Sequence, residues 1–183
     1  MSSAITAESK TTWSIDSAHS GVHFSVKHLV VATVRGQFDK VSGSVVIDPL
    51  NPAESRIHAV IDAASIDTRE PQRDAHLRSP DFLDVEQFPT IEFRSTRVAR
   101  TKDGYAVTGD LTIHGVTRSV ILAVEATDDE IRDHVGNVKR AATATTKINR
   151  KDFGLTWNDA LETGGFVVGD EIRIEIDVEL VQS

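Results

Sequence analysis

Four side chains within six residues have the types and spacing to do chemistry. Asp74 and His76 offer a carboxylate and an imidazole, the pairing that moves protons in general acid–base catalysis, and Arg73 and Arg78 flank them with forked donors suited to a phosphate. An enzyme of lipid metabolism would use Asp74 as one proton carrier and His76 as the other. Neither a nucleophile nor a third group to orient the histidine is recognisable nearby. The simpler reading is a short helix braced by Asp74 and the arginines, with Leu77 and Phe82 pinning it to an apolar neighbour. An arginine here could also reach a pyrophosphate.

Two further groups invite a chemical reading. His19, His23 and His28 could ligate a metal, but alternation sends His23 to the face opposite Phe24, and no Cys or carboxylate complement accompanies them. No metal and no cofactor are therefore expected. Arg150 and Lys151 make a basic step in an acidic chain, which could meet a lipid headgroup or an anionic surface but reads as a solvated loop.

The elements that position these residues are strands. Val22, Phe24 and Val26 alternate with polar residues, and Ile172, Ile174, Ile176, Val178 and Leu180 do so without a break. The alternation continues over residues 34–48, 55–64, 94–98, 105–113 and 116–126, more weakly over 139–148, and Asp103-Gly104 marks a hairpin. It fails over residues 74–93. There Pro71 suits the first turn of a helix and Pro80 a stop, which predicts one short helix around residues 71–79. About eight long antiparallel strands with one apolar face must form a sandwich or close into a barrel, and Gly36, Gly43 and Gly109 inside strands favour closure. Residues 1–11 read as a disordered leader and 12–183 as a single domain.

Composition narrows the function. The chain has 183 residues, 39% of them hydrophobic and 26% charged, a net charge of -8 and no cysteine. The acidic balance disfavours sequence-independent binding to nucleic acid, which needs cations to displace counterions from phosphates. The first residues lack the basic and apolar regions of a secretory signal, and no apolar run is long enough for a membrane helix. A cytoplasmic protein without stable membrane insertion is expected. An eight-stranded barrel walled by Val, Ile, Leu and Ala can be filled or can hold one slim ligand. Burying on the order of 400 Å² of hydrocarbon at about 25 cal/mol per Å² would supply roughly 10 kcal/mol before ordering costs.

Longer motifs carry a resemblance. The blocks are Trp13-x-Ile15-Asp16-x-x-His19-Ser20, then Gly36-x-Phe38, then Ser65-Ile66-Asp67-Thr68 leading to Arg73-Asp74-x-His76-Leu77-Arg78-Ser79-x-Asp81-Phe82-Leu83-Asp84-Val85 and Phe88-Pro89. Gly109-Asp110-Leu111-Thr112-Ile113-x-Gly115-Val116-Thr117 and Ile148-Asn149-Arg150-Lys151-Asp152-Phe153-Gly154-Leu155 follow. From Trp13 to about Val181 the chain resembles the YceI-like family of lipid- and polyisoprenoid-binding proteins. The resemblance implies an all-β, extended lipocalin-like eight-stranded antiparallel barrel that holds a long isoprenoid chain, without established enzymatic activity. Departures are Arg69, where similar proteins often have Asn or Gly, Val135 where they often carry Trp, and Ala141-Ala142 where they often carry Gly-Phe.

The expectation is a non-enzymatic protein that binds, and transports or stores, a long-chain isoprenoid or other apolar lipid. Phe24, Val26, Phe93, Leu111, Ile113, Leu122, Val124, Ile174 and Ile176 would line the cavity, and Arg73 or Arg78 would meet a headgroup. The alternatives are an enzyme of isoprenoid or lipid metabolism using Asp74 and His76, and a stress or interaction protein whose cavity is incidental. An exposed first or last strand could pair edges in a homodimer.

Overall fold

The computed structural model describes residues 10–127, 129–159 and 167–183. The strands are β1 (Thr11–Ile15), β2 (Gly21–His28), β3 (Ala32–Phe38), β4 (Val41–Ile47), β5 (Arg56–Asp62), β6 (Ile66–Asp67), β7 (Thr90–Arg100), β8 (Tyr105–Ile113), β9 (Val116–Ala126), β10 (Ile131–Arg132), β11 (Val138–Asn149) and β12 (Val168–Gln182). Among the described residues a single α-helix, α1 (Pro71–Arg78), interrupts them. Eight strands close a ring in the order β1, β4, β5, β7, β8, β9, β11, β12 and back to β1, every pair antiparallel. The protein is an all-β barrel with one short helix.

The long β12 carries the asymmetry. One edge pairs with β11 along its length; the other pairs with β2 from Val168 to Asp177 and with β1 from Leu180 to Gln182. The corner between β1 and β2 is held by Asp16, whose Oδ1 accepts from Ala18 N, and by Ser17, whose hydroxyl donates to Val41 O. Beyond that corner β2 and β3 form a hairpin that extends the wall, and β3 ends against β6.

Two elements depart from the sequence reading. Alternation over residues 34–48 breaks at Asp39-Lys40 into β3 and β4, and β2 and β3 are joined by a three-residue turn, Leu29-Val30-Val31, that has neither glycine nor asparagine. The weak Ala/Thr pattern, by contrast, is a strand of 12 residues in register with β12 from Lys139 to Asn149. Ile131 and Arg132, outside the strands read from alternation, form the short β10. Thr11 already belongs to β1, while residues 1–9 of the expected leader and Gly164-Gly165 lie outside the described residues.

Helix α1 forms where predicted, for local reasons. Pro71 occupies its first turn, the Glu70 side chain accepts from Gln72 N and Arg73 N, and Ser79 N caps the last turn on His76 O. Only Asp74 of the helix is buried. Eight residues have too little apolar surface to hold a helix alone, so polar bonds to the barrel's edge decide its position.

Candidate ligand cavity

A cavity of about 570 Å³ runs inside the ring, within the ordinary range of small-molecule sites. Every ring strand contributes to its wall, through residues such as Ile15, Val45, Ile57, Leu111, Ala144 and Ile176. The structure places Phe24, Val26, Phe93, Leu111, Ile113, Leu122, Val124, Ile174 and Ile176 in its wall. The arginines of the lining stand at its ends, and Thr143 and Thr146 add hydroxyls along β11. Arg100, Tyr105, Thr127 and Arg140 stand at one end, and Leu77, Phe82, Leu83 and the buried Arg150 at the other.

Two glycines keep the lumen open by a route other than bending strands. A Cβ on Gly36 would lie 2.4 Å from Phe24 Cζ, and one on Gly109 would lie 2.4 Å from Phe93 Cζ. Each phenyl ring therefore lies over a bare stretch of wall instead of crossing the interior. Ala142 and Ala144 add further room along β11. Gly43 is different: its φ of +149° and the 2.1 Å approach of its would-be Cβ to His58 O make glycine obligatory there.

The polar residues around α1 are occupied by structural bonds. Asp74 is 6% exposed, and its Oδ1 accepts from Thr68 N at 2.9 Å and from the Thr68 hydroxyl. Arg73 donates to Thr68 Oγ1 at 2.8 Å and Thr68 O at 2.9 Å; Arg78 donates to Ala64 O at 2.8 Å and Ile66 O at 2.6 Å. These bonds tie the helix to β6 and to the residues on either side of it, while Leu77, Phe82 and Leu83 face the cavity. His76 bonds Asp81 at 2.8 Å and packs edge-on against Phe82 and Trp157, with centroids 5.1 and 4.6 Å away. Asp74 and His76 thus serve different partners.

Arg150 is only 2% exposed, so it is not the surface cation its sequence suggested. Its guanidinium donates to the carbonyls of Gly169, Leu155 and Trp157 and meets Asp170 at 3.3 Å, tying the 3₁₀ turn after β11 to the start of β12. Burial lowers its pKa, against the opposing field of Asp170.

His19 and His23 border one surface pocket with Asp177. His19 bonds Asp16 at 2.9 Å, and His23 lies 3.8 Å from Asp177. Ligand atoms of Asp16, His19 and Glu179 lie within 4.8 Å of one another, but Lys139 Nζ is 3.4 Å from Asp16 and hydrogen-bonded to Glu179. This fixed ammonium supplies the positive charge a metal would bring. The His19 bond holds the Asp16 carboxyl below its ordinary range, and the Glu179 bond raises the Lys139 ammonium.

Arg140 is a charged cavity residue that the sequence reading did not name. Arg140 lies on the same side of β11 as Ala142 and Ala144, and its guanidinium sits over the Trp13 ring, 5.2 Å from the centroid. It also meets Glu130 at 3.1 Å, yet its Nε is buried without a hydrogen-bond partner among the described residues. Counting by twos back from Ala144 was the available signal.

The sequence profile of the YceI-like domain matches residues 13–180, from the buried Trp13 to Leu180 on β12. The chain belongs to the YceI-like family. Among curated relatives of this YceI-like chain, a UPF0312 protein of Staphylococcus aureus is 35% identical over 169 residues, covering 92% of this chain and 96% of that one. A UPF0312 protein of Photorhabdus laumondii is 40% identical over 154 residues, covering 84% and 79%. Of solved structures, Burkholderia cenocepacia BcnA superposes with a TM-score of 0.78 at 25% identity, over 90% of this chain and 98% of that one. A polyisoprenoid-binding domain from Saccharophagus degradans, with a TM-score of 0.69, 15% identity and coverage of 94% and 99%, shares the fold.

Proposed function

We infer that this YceI-like protein binds a long, slim apolar lipid of isoprenoid type inside the barrel, as a non-enzymatic carrier or store. The observation that carries this reading is the cavity wall, predominantly apolar along the ring with its arginines at the ends. The Saccharophagus domain, whose name records polyisoprenoid binding, supports it through a common architecture. Arg73 and Arg78 were the expected headgroup contacts, but neither lines the cavity and both donate to backbone carbonyls. In this reading the ligand's polar end instead lies beside Arg140, whose Nε has no hydrogen-bond partner among the described residues. A cytoplasmic location belongs to the same proposal and rests on the cysteine-free composition; among the described residues no helix is long and apolar enough to cross a membrane.

Native mass spectrometry of the freshly purified chain tests the proposal, with Ala144→Trp as the comparison. Ala144 faces the lumen between Val124 and Ile176, so an indole there fills space that a hydrocarbon chain would need. The wild type should carry a lipid adduct that the variant lacks, at similar melting temperature. A wild type without lipid, or a variant that binds as well, refutes it.

A further inference from the structure

The turn between β2 and β3 is built against its own conformational interest. Leu29 and Val30 have φ of 49° and 69°, a region that suits glycine or asparagine and penalises a β-branched residue. Leu29, Val30 and Val31 are nevertheless all apolar and exposed, at 43%, 71% and 83%. Other exposed large hydrophobics, such as Leu50 and Ile121, are not joined in such a run. Three consecutive apolar side chains on a strained tip mark a contact surface.

Charge points to the partner. The chain's net charge is -8, yet from Gly21 to Phe38 it has no acidic residue and carries Lys27 and Arg35, both exposed. The tip also adjoins the cavity. Phe24, Val26 and Val168 line the lumen, Val168 pairs with His28 at the base of the turn, and Leu29 N donates to Val167 O at 2.9 Å. Val26 is three residues from Leu29, about 10 Å along the strand.

We propose that the Leu29-Val30-Val31 tip inserts into the interfacial layer of an anionic lipid bilayer, with Lys27 and Arg35 on the headgroups, and seats this end of the barrel on the membrane. Apolar insertion and headgroup attraction are the two contributions that hold peripheral proteins on bilayers. The proposal stands apart from what the cavity holds.

The test is co-sedimentation of the full chain with phosphatidylcholine vesicles with and without phosphatidylglycerol. In the variant Leu29→Asn/Val30→Gly/Val31→Ser, the first two replacements accept the left-handed backbone, so its melting temperature should equal or exceed the wild type's. Its partitioning should fall at least tenfold, roughly what losing the insertion of one or two aliphatic side chains implies. Lys27→Gln/Arg35→Gln should weaken binding roughly tenfold on phosphatidylglycerol and leave phosphatidylcholine unaffected. Ala144→Trp should sediment like the wild type, which keeps this outcome separate from that of lipid carriage. The proposal is overturned if the wild type stays in the supernatant, or if the tip variant sediments equally well. It is also overturned if wild type that ignores vesicles forms a dimer that the tip variant dissolves, for the patch would then serve a second copy of this chain.

Discussion

Replacing Asp74 with alanine separates a brace from an active centre. In the fold its carboxylate is buried and accepts two bonds from Thr68, itself only 5% exposed. Alanine would leave a buried N–H and a buried hydroxyl competing for what remains, at about 1–3 kcal/mol for each unsatisfied group. The loss should total roughly 3–5 kcal/mol. For a chain of this length each kcal/mol moves the melting temperature by about 2–4 °C, so a fall on the order of 10 °C is expected. Asp74→Asn keeps an acceptor at the same place and should lose about half as much. Thermal unfolding followed by circular dichroism gives the global transition. Fluorescence reports the neighbourhood of α1 through Trp157, which packs on His76 and Phe82. The Asp74→Ala fluorescence transition should come first, since α1 rests on the bonds removed. An unchanged melting temperature would refute the brace, and a lost enzymatic turnover in such a stable variant would restore Asp74 as a proton carrier.

Two other predictions concern backbone fit and pH. Gly43→Ala places a Cβ against His58 O with a positive φ, whereas Gly36→Ala meets the movable Phe24 ring and the Thr68 methyl. The former should cost about 3 kcal/mol or more and the latter about 1–2, read from urea midpoints, with the reverse order contradicting the argument. Hydrogen bonds from His19 and His58 lower the pKa values of Asp16 and Glu92 from ordinary values of 3.8 and 4.5. Carboxylates held low stabilise the fold above their ordinary values, and that contribution disappears as pH falls through the lowered ones. Asp16→Asn should therefore melt below the wild type at neutral pH and converge with it in acid; a gap that stays constant as pH falls from neutral to about 3, below the ordinary aspartate value, would show that the Asp16 charge contributes nothing.

The sequence made the barrel wall legible because burial on one face forces a period of two, and β12 obeys it from Ile172 to Leu180. Helix α1 was legible because Pro71 and Pro80 bracket it. The turn at Leu29 was not, because its residues are those a strand would use and only the pairing of His28 with Ala32 reveals the reversal. Arg150 was misread for a related reason. A guanidinium can be buried if enough carbonyls surround it, and those of Gly169, Leu155 and Trp157 come together only in the fold. Arg73 and Arg78 looked like anion-binding groups because composition records their charge but not the backbone carbonyls that occupy them.

The double pairing of β12 sets an order of assembly. It is C-terminal to all its partners, and it joins β11 to both β1 and β2, so Trp13 meets Gln182 across nearly the whole chain. Until β12 is in place, β11 on one flank and β1 with β2 on the other remain unpaired edges, exposed to the wrong partners. Closure needs this last strand and brings together residues far apart in sequence, a pairing with a larger loop-closure cost than the local hairpins carry. Loss of the final turn of sequence pairing, Leu180 to Gln182, would reopen the ring at β1 and leave a nascent barrel prone to aggregation.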